Sequence, residues 1–282
     1  MAGFVRDLGM APPLWTFTTP PAARTPHVML AAFGTGALAD GVPLSLARFG
    51  LPSAQHAAAL DLRTIPRAAD PAWFDNWRQG SLRAIAGDDL GPALAALDAA
   101  DHVHLVIAEP AAPADLGYLQ AAWGATRHLV ARGAGIVLDV HAMTFRAAAT
   151  LAAADAALDV RRELRVVFET DATRRGGAHA LHTRGMRKFG APDLVALCSA
   201  ADAPLVGDVV GQLAELVALG GELALPRHGV DLDETATWYA VADEHGLADL
   251  LGLNNEARVL VDDRGHDLVG VLGRMRAGRG SA

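Results

Sequence analysis

Three consecutive pieces of the chain decide its fold: Val103-His-Leu-Val-Ile-Ala108, the segment from Asp115 to Arg132, and Ile136-Val-Leu-Asp-Val140. The first and third are short apolar runs rich in β-branched residues, the signature of buried strands. Between them Leu116, Leu119, Trp123, Thr126 and Val130 recur along one stripe at helical spacing, and Gly133 stands where such a helix would stop. Continuing outward, the pattern predicts a second helix over Phe145–Val160 and a third strand at Val166-Val-Phe168. Residues 101–170 therefore read as a βαβαβ core with adjacent parallel strands and right-handed crossovers, in an α/β or α+β fold.

Beyond this core, Thr173-Arg-Arg-Gly-Gly177 reads as a turn. Additional strands follow residue 178, at His179–Thr183 and Asp193–Cys198. Pro204 opens a helix with Leu205, Val209, Leu213, Leu216 and Val217 on one side, ended by Gly220-Gly221. Late strands are expected at Trp238–Val241 and Val259–Val261, and the glycine- and arginine-rich stretch from Arg274 to Ala282 reads as a flexible tail. The segment His182-Thr-Arg-Gly-Met-Arg-Lys-Phe-Gly-Ala-Pro-Asp193 resembles part of certain uncharacterised bacterial domains, in which a Thr-x-Gly-Met or similar turn precedes Phe-Gly and an acidic residue. The resemblance spans a dozen residues. It implies a bacterial α+β domain and carries no mechanism.

Toward the N-terminus, five prolines between Pro12 and Pro26 discourage regular structure, so residues 1–26 read as an irregular arm. A strand is expected at His27–Phe33, a helix at Pro43–Phe49, and alanine-rich helical material from 51 to 100 in which Trp73 and Trp77 share a face for packing. Gly34-Thr-Gly36 follows the first strand but lacks both the dinucleotide glycine spacing and the Gly-Lys-Ser/Thr ending of a phosphate loop. The expected organisation is an arm and helical elaboration over 1–100, an α/β core over 101–272 and a tail over 273–282, together one globular unit.

Composition narrows the function classes. A net charge of −8 argues against general binding to nucleic acid or an anionic membrane, and no apolar run approaches the length of a membrane span. The N-terminus has no signal-peptide pattern, and a single cysteine, Cys198, rules out an internal disulfide and reads as a small buried hydrophobe; a cytoplasmic, soluble protein is expected. The only lysine, Lys188, reads as a solvated surface residue.

In a parallel βαβ core ligands gather beyond the carboxyl ends of the strands, which selects Glu109, Asp139 to His141, and Glu169 to Asp171. His141, Glu169 and Asp171 are the candidate catalytic acid–base set. His141, Asp171 and His182 are the candidate ligands of a divalent metal, the cofactor that neutral imidazole and ionised carboxylate suit. His179 and His182, three apart on a strand, fall on opposite faces and are not expected to share one ion. From Arg161 to Lys188 eight basic residues face three acidic ones, a local +5 within a chain of −8. Arg174, Arg175, Arg184, Arg187 and Lys188 are the candidate anion-binding residues, because guanidinium groups match carboxylate and phosphate oxygens. Two functions fit: a small-molecule or anion-binding protein, such as a metal-dependent hydrolase using the strand-end crevice, or a non-catalytic regulatory protein whose arginine-rich loop docks an acidic partner.

Overall fold

Val28–Gly34 (β1) carries buried side chains on both faces, Val28, Leu30 and Ala32 on one and Ala31 and Phe33 on the other, and a strand of that kind belongs inside a sheet. It pairs antiparallel with His102–Ala108 (β3) on one side and Ile136–Asp139 (β4) on the other. Asp61–Pro66 (β2) flanks β3 and Thr144–Ala147 (β5) flanks β4, which completes a five-stranded sheet in the order β2-β3-β1-β4-β5. The helix Gly117–Ala131 (α6) joins β3 to β4 and packs on β1 and β3. The opposite face carries Phe33, Val103, Leu105, Ile107, Ile136 and Leu138 against Phe74 of Pro71–Asn76 (α3), Ala86 and Leu90 of Gly80–Leu90 (α4), and Leu97 of Leu94–Ala99 (α5). Trp73 and Trp77, expected to share a packing face, meet edge to face with ring centroids 5.5 Å apart and pack against this core. Two short helices, Leu46–Phe49 (α1) and Ala54–Ala58 (α2), pack on α6.

The computed structural model describes residues 12–19, 21, 24–36, 38, 42–151, 157–170, 179–233 and 236–262, and divides the chain into two compact units, Met1–Asp159 and Val160–Ala282. The second unit is built on a six-stranded sheet, ordered Arg165–Glu169 (β6), His179–Arg184 (β7), Asp193–Cys198 (β8), Ala257–Val261 (β11), Ala236–Ala242 (β10) and Arg227–Asp233 (β9). β8 and β11 run parallel and the other neighbours antiparallel. The helix Ala203–Ala218 (α8) covers β6, β7 and β8, while Leu247–Leu250 (α9) contributes Leu247 to a small core with Ala180, Val195 and Ala257.

The fold is mixed α and β, with strands after residue 178 as expected, but its connectivity differs from an uninterrupted βαβαβ run. β3 and β4 are parallel to each other in one sheet, yet β1 lies between them and turns every neighbouring pair antiparallel. In place of the helix expected over Phe145–Val160, the described residues form β5, a 3-10 turn at Ala148–Leu151 and the single-turn helix Val160–Glu163 (α7), residues 152–156 lying outside those described. The cause is local: Asp139 Oδ1 accepts from the Ala142 amide at 3.1 Å, Met143 takes a left-handed φ of 52°, and the chain folds back into a hairpin. Val166-Val-Phe168 then pairs with β7 in the second sheet instead of joining the first. The compact units therefore meet at 159/160 and not at 100/101, since the ladders of β1 and β2 with β3 bind residues 28–66 to 102–108.

Candidate functional site

Because β1 is antiparallel to both neighbours, its first residues lie beside the last residues of β3 and β4. The register pairs Val28 with Ala108 and Leu30 with Asp139, so His27, Glu109 and His141, each just past a strand end, come together. His27 Nε2 is 3.0 Å from Glu109 Oε1 and His27 Nδ1 is 2.6 Å from His141 Nε2, the two rings meeting edge to face at 4.8 Å. Exposure falls along the series: the Glu109 side chain is 67% exposed, that of His27 18%, and His141 is buried. With Glu109 ionised, the Nε2–H of His27 donates to it, and Nδ1 is left to accept from the Nε2–H of His141. The three side chains thus form one hydrogen-bonded series that leads inward from the surface.

Glu109 opens onto a crevice of about 270 Å³ lined by His56, Leu60, Ala108, Pro113, Asp115 and Tyr118, among others. On its other wall Ser53 caps α2, its Oγ accepting from the His56 amide at 3.2 Å and lying 2.8 Å from His56 Nδ1. His56 Nε2 stands 3.5 Å from Asp115 Oδ1, which also accepts from the Gly117 amide at 2.8 Å. Residue 117 has to be glycine for this approach: a Cβ there would come within 2.5 Å of His56 Nε2 and 2.8 Å of Asp115 Oδ1. Burial pushes the Tyr118 phenol well above its ordinary value, against the charge of Arg24, so it stays a neutral hydrogen-bonding group. The loop that carries these groups is pinned by Ala112 N donating to Arg24 O and Leu116 N to Trp15 O. Among the described residues, the non-glycines with left-handed backbone are Ala112 (φ 46°) and Met143. One lies in this loop and the other in the turn after His141.

Of the residues selected from sequence, Glu109 and His141 are joined here through His27. Glu169 belongs to the second unit, on β6, where its Oε1 lies 3.6 Å from Nε2 of His182. His182 is fully buried in β7, and desolvation, then the charge of Arg184, lowers its pKa, so it is held neutral. Asp171, Arg174 and Arg175 lie outside the described residues. Among the described residues no group of three or more His, Cys, Asp or Glu is gathered to hold a metal ion.

The remaining basic residues are occupied within the second unit. Arg184 donates to the carbonyls of Leu251 and Gly252 at 3.0 and 3.2 Å, capping α9, and Arg187 donates to Asn254 O at 2.5 Å. Lys188 is not a solvated lysine: it is fully buried, with Nζ 2.6 Å from Oε2 of buried Glu163. Hydrogen bonds to carbonyls and to one carboxylate thus tie these three side chains to their surroundings within the second unit.

No protein-family model matches the chain, and neither the curated proteins nor the solved structures yield a match. The site therefore rests on geometry. Sequence reasoning missed His27, His56 and Asp115. The Ser53-x-x-His56 spacing, which caps a helix and orients an imidazole at once, was the available signal for His56. His27 becomes legible only once β1 is known to run antiparallel.

Proposed function

We propose that the first unit is a small-molecule enzyme of the acid–base type, acting in the crevice between Glu109 and His56. The observation that carries this reading is that two proton-handling groups line one concavity and each is backed by others: His56 by Ser53 and Asp115, Glu109 by His27 and His141. Such an arrangement supports hydrolysis of a compact polar substrate. One group withdraws a proton from water or from a substrate hydroxyl, and the other protonates the leaving group. Two carboxylates at the rim favour a substrate that donates hydrogen bonds, an amine, alcohol or amide, over an anion. Apolar walls from Leu60, Ala108, Pro110 and Pro113 suit a small carbon skeleton.

The test is hydrolysis of a panel of small esters, amides and amino-substituted esters by the full chain. Turnover is expected, falling at least about a hundredfold in His56→Ala and in Glu109→Gln. A turnover that survives both substitutions would remove the crevice from the chemistry. Docking of an acidic partner through Arg174–Lys188 is the less supported reading, because Arg184, Arg187 and Lys188 already hold internal carbonyls and a carboxylate.

A further inference from the structure

Among the described strands β6 is an edge of the second sheet, with β7 on one side only. Its residues alternate, Val166 and Phe168 being 40% and 37% exposed while Arg165, Val167 and Glu169 are half-buried. An edge strand with apolar side chains in solvent is a template for further pairing, which proteins normally blunt. The far edge, β9, is blunted: it contains Gly229 and Asp231 and pairs with β10 through a register shift.

On the Val166 side of the sheet, a groove of about 400 Å³ runs between β6 and α8, lined by Leu164, Val166, Pro204, Gly207, Gly211 and Ala214. Gly207 and Gly211 of α8 leave room in it, a Cβ on Gly211 meeting nothing within 4 Å, while Asp208 and Gln212 of the same helix and Arg161 add polar groups to its lining. Leu205 and Leu216 of the same helix are exposed at 45% and 59%.

The sequence of β6, Arg165-Val-Val-Phe-Glu169, is complementary to itself in reverse. Paired antiparallel about Val167 with a second copy, Arg165 stands opposite Glu169 twice and Val166 opposite Phe168 twice. Directly opposed residues of an antiparallel pair share a face and lie about 4.5–5.5 Å apart at Cβ. The two ion pairs then fall on one face. The two aromatic–aliphatic pairs fall on the other, where each Phe168 comes beside the Val166 that lines the other copy's groove.

We propose that two copies of this chain associate through β6, antiparallel about Val167, joining their six-stranded sheets into one and seating each Phe168 at the groove between β6 and α8 of its partner. Charge complementarity selects a second copy over an unrelated strand: the strand's only charges are at its two ends, of opposite sign and equidistant from the centre.

Sedimentation velocity of the full chain between about 1 and 100 µM tests this. A concentration-dependent dimer is expected. Phe168→Asp should yield a monomer with unchanged circular dichroism, since residue 168 is already exposed. Arg165→Glu and Glu169→Arg should each weaken the dimer at least about tenfold, and the Arg165→Glu/Glu169→Arg double variant should regain it, because reversal of both charges restores every opposed pair. A wild-type monomer at about 100 µM overturns the proposal. So does a dimer indifferent to Phe168→Asp, or one that the double reversal fails to restore.

Discussion

At the scale of single residues, both units hold groups whose neighbours leave them little freedom. Gly117 is the sharpest case, since even a methyl group would overlap the His56–Asp115 pair. Gly117→Ala is therefore expected to displace His56 and cut turnover about tenfold or more while the melting temperature moves little, a split that activity and thermal-denaturation assays read together. Asp193 is a second case, with a pH consequence. Thr183 donates to it at 2.9 Å and Asn255 at 3.0 Å, yet desolvation outweighs both and raises its pKa from 3.8 to about 6. A carboxyl raised in the folded state binds protons more tightly there than in the unfolded chain. Its contribution is thus fully present below about pH 4 and is lost as pH rises through about 6. Denaturant unfolding should show the second unit losing on the order of 3 kcal/mol across that window, and Asp193→Asn should flatten the slope. An unaltered slope in the variant would assign the pH dependence elsewhere.

At the scale of elements, the sequence was most informative where one periodicity ran uninterrupted. β1, β3, α6, β4, β7, β8, α8 and parts of β10 and β11 follow from apolar runs, helical stripes and terminal glycines, because burial on a face or stripe leaves a direct trace in residue order. β2 was hidden because Asp61-Leu-Arg-Thr-Ile-Pro is an edge strand whose exposed residues carry no hydrophobic pattern. The stretch from 145 reads as helix because Ala147, Ala148 and Ala149 are helix formers, and the turn formed by Asp139, Ala142 and Met143 overrides that propensity at β5. Lys188 escaped because burial of a cation depends on a partner distant in sequence, here Glu163 on α7. Lys188→Met should strand that carboxylate and cost about 3–5 kcal/mol in urea unfolding, whereas Lys188→Met/Glu163→Leu should recover most of the loss. Equal destabilisation by the single and double variants would deny the pair its structural role. In the first unit, Phe74→Ala, which empties a fully buried site between α3 and the sheet, should cost about 3–5 kcal/mol.

At the scale of the whole molecule, the rule that ligands gather at the carboxyl ends of parallel strands selects Glu109 and His141, and the two do lie at one edge of the first sheet although β1 separates β3 from β4, because inserting an antiparallel strand leaves those ends on the same edge. The same rule extended to Glu169 and Asp171 assumed a third strand in that sheet, and the division at 159/160 assigns β6 to a different unit. The candidate site is consequently one of the first unit: Glu109, backed by His27 and His141, on one wall and His56 with Asp115 on the other. The most direct measurement of that claim is a fragment screen on the full chain followed through ¹⁵N-histidine resonances. Small amines, alcohols and amides that bind should shift the imidazole signals of His56 and His27 and leave those of His179 and His182 in place; fragments that bind reproducibly while His56 and His27 stay unshifted would contradict it.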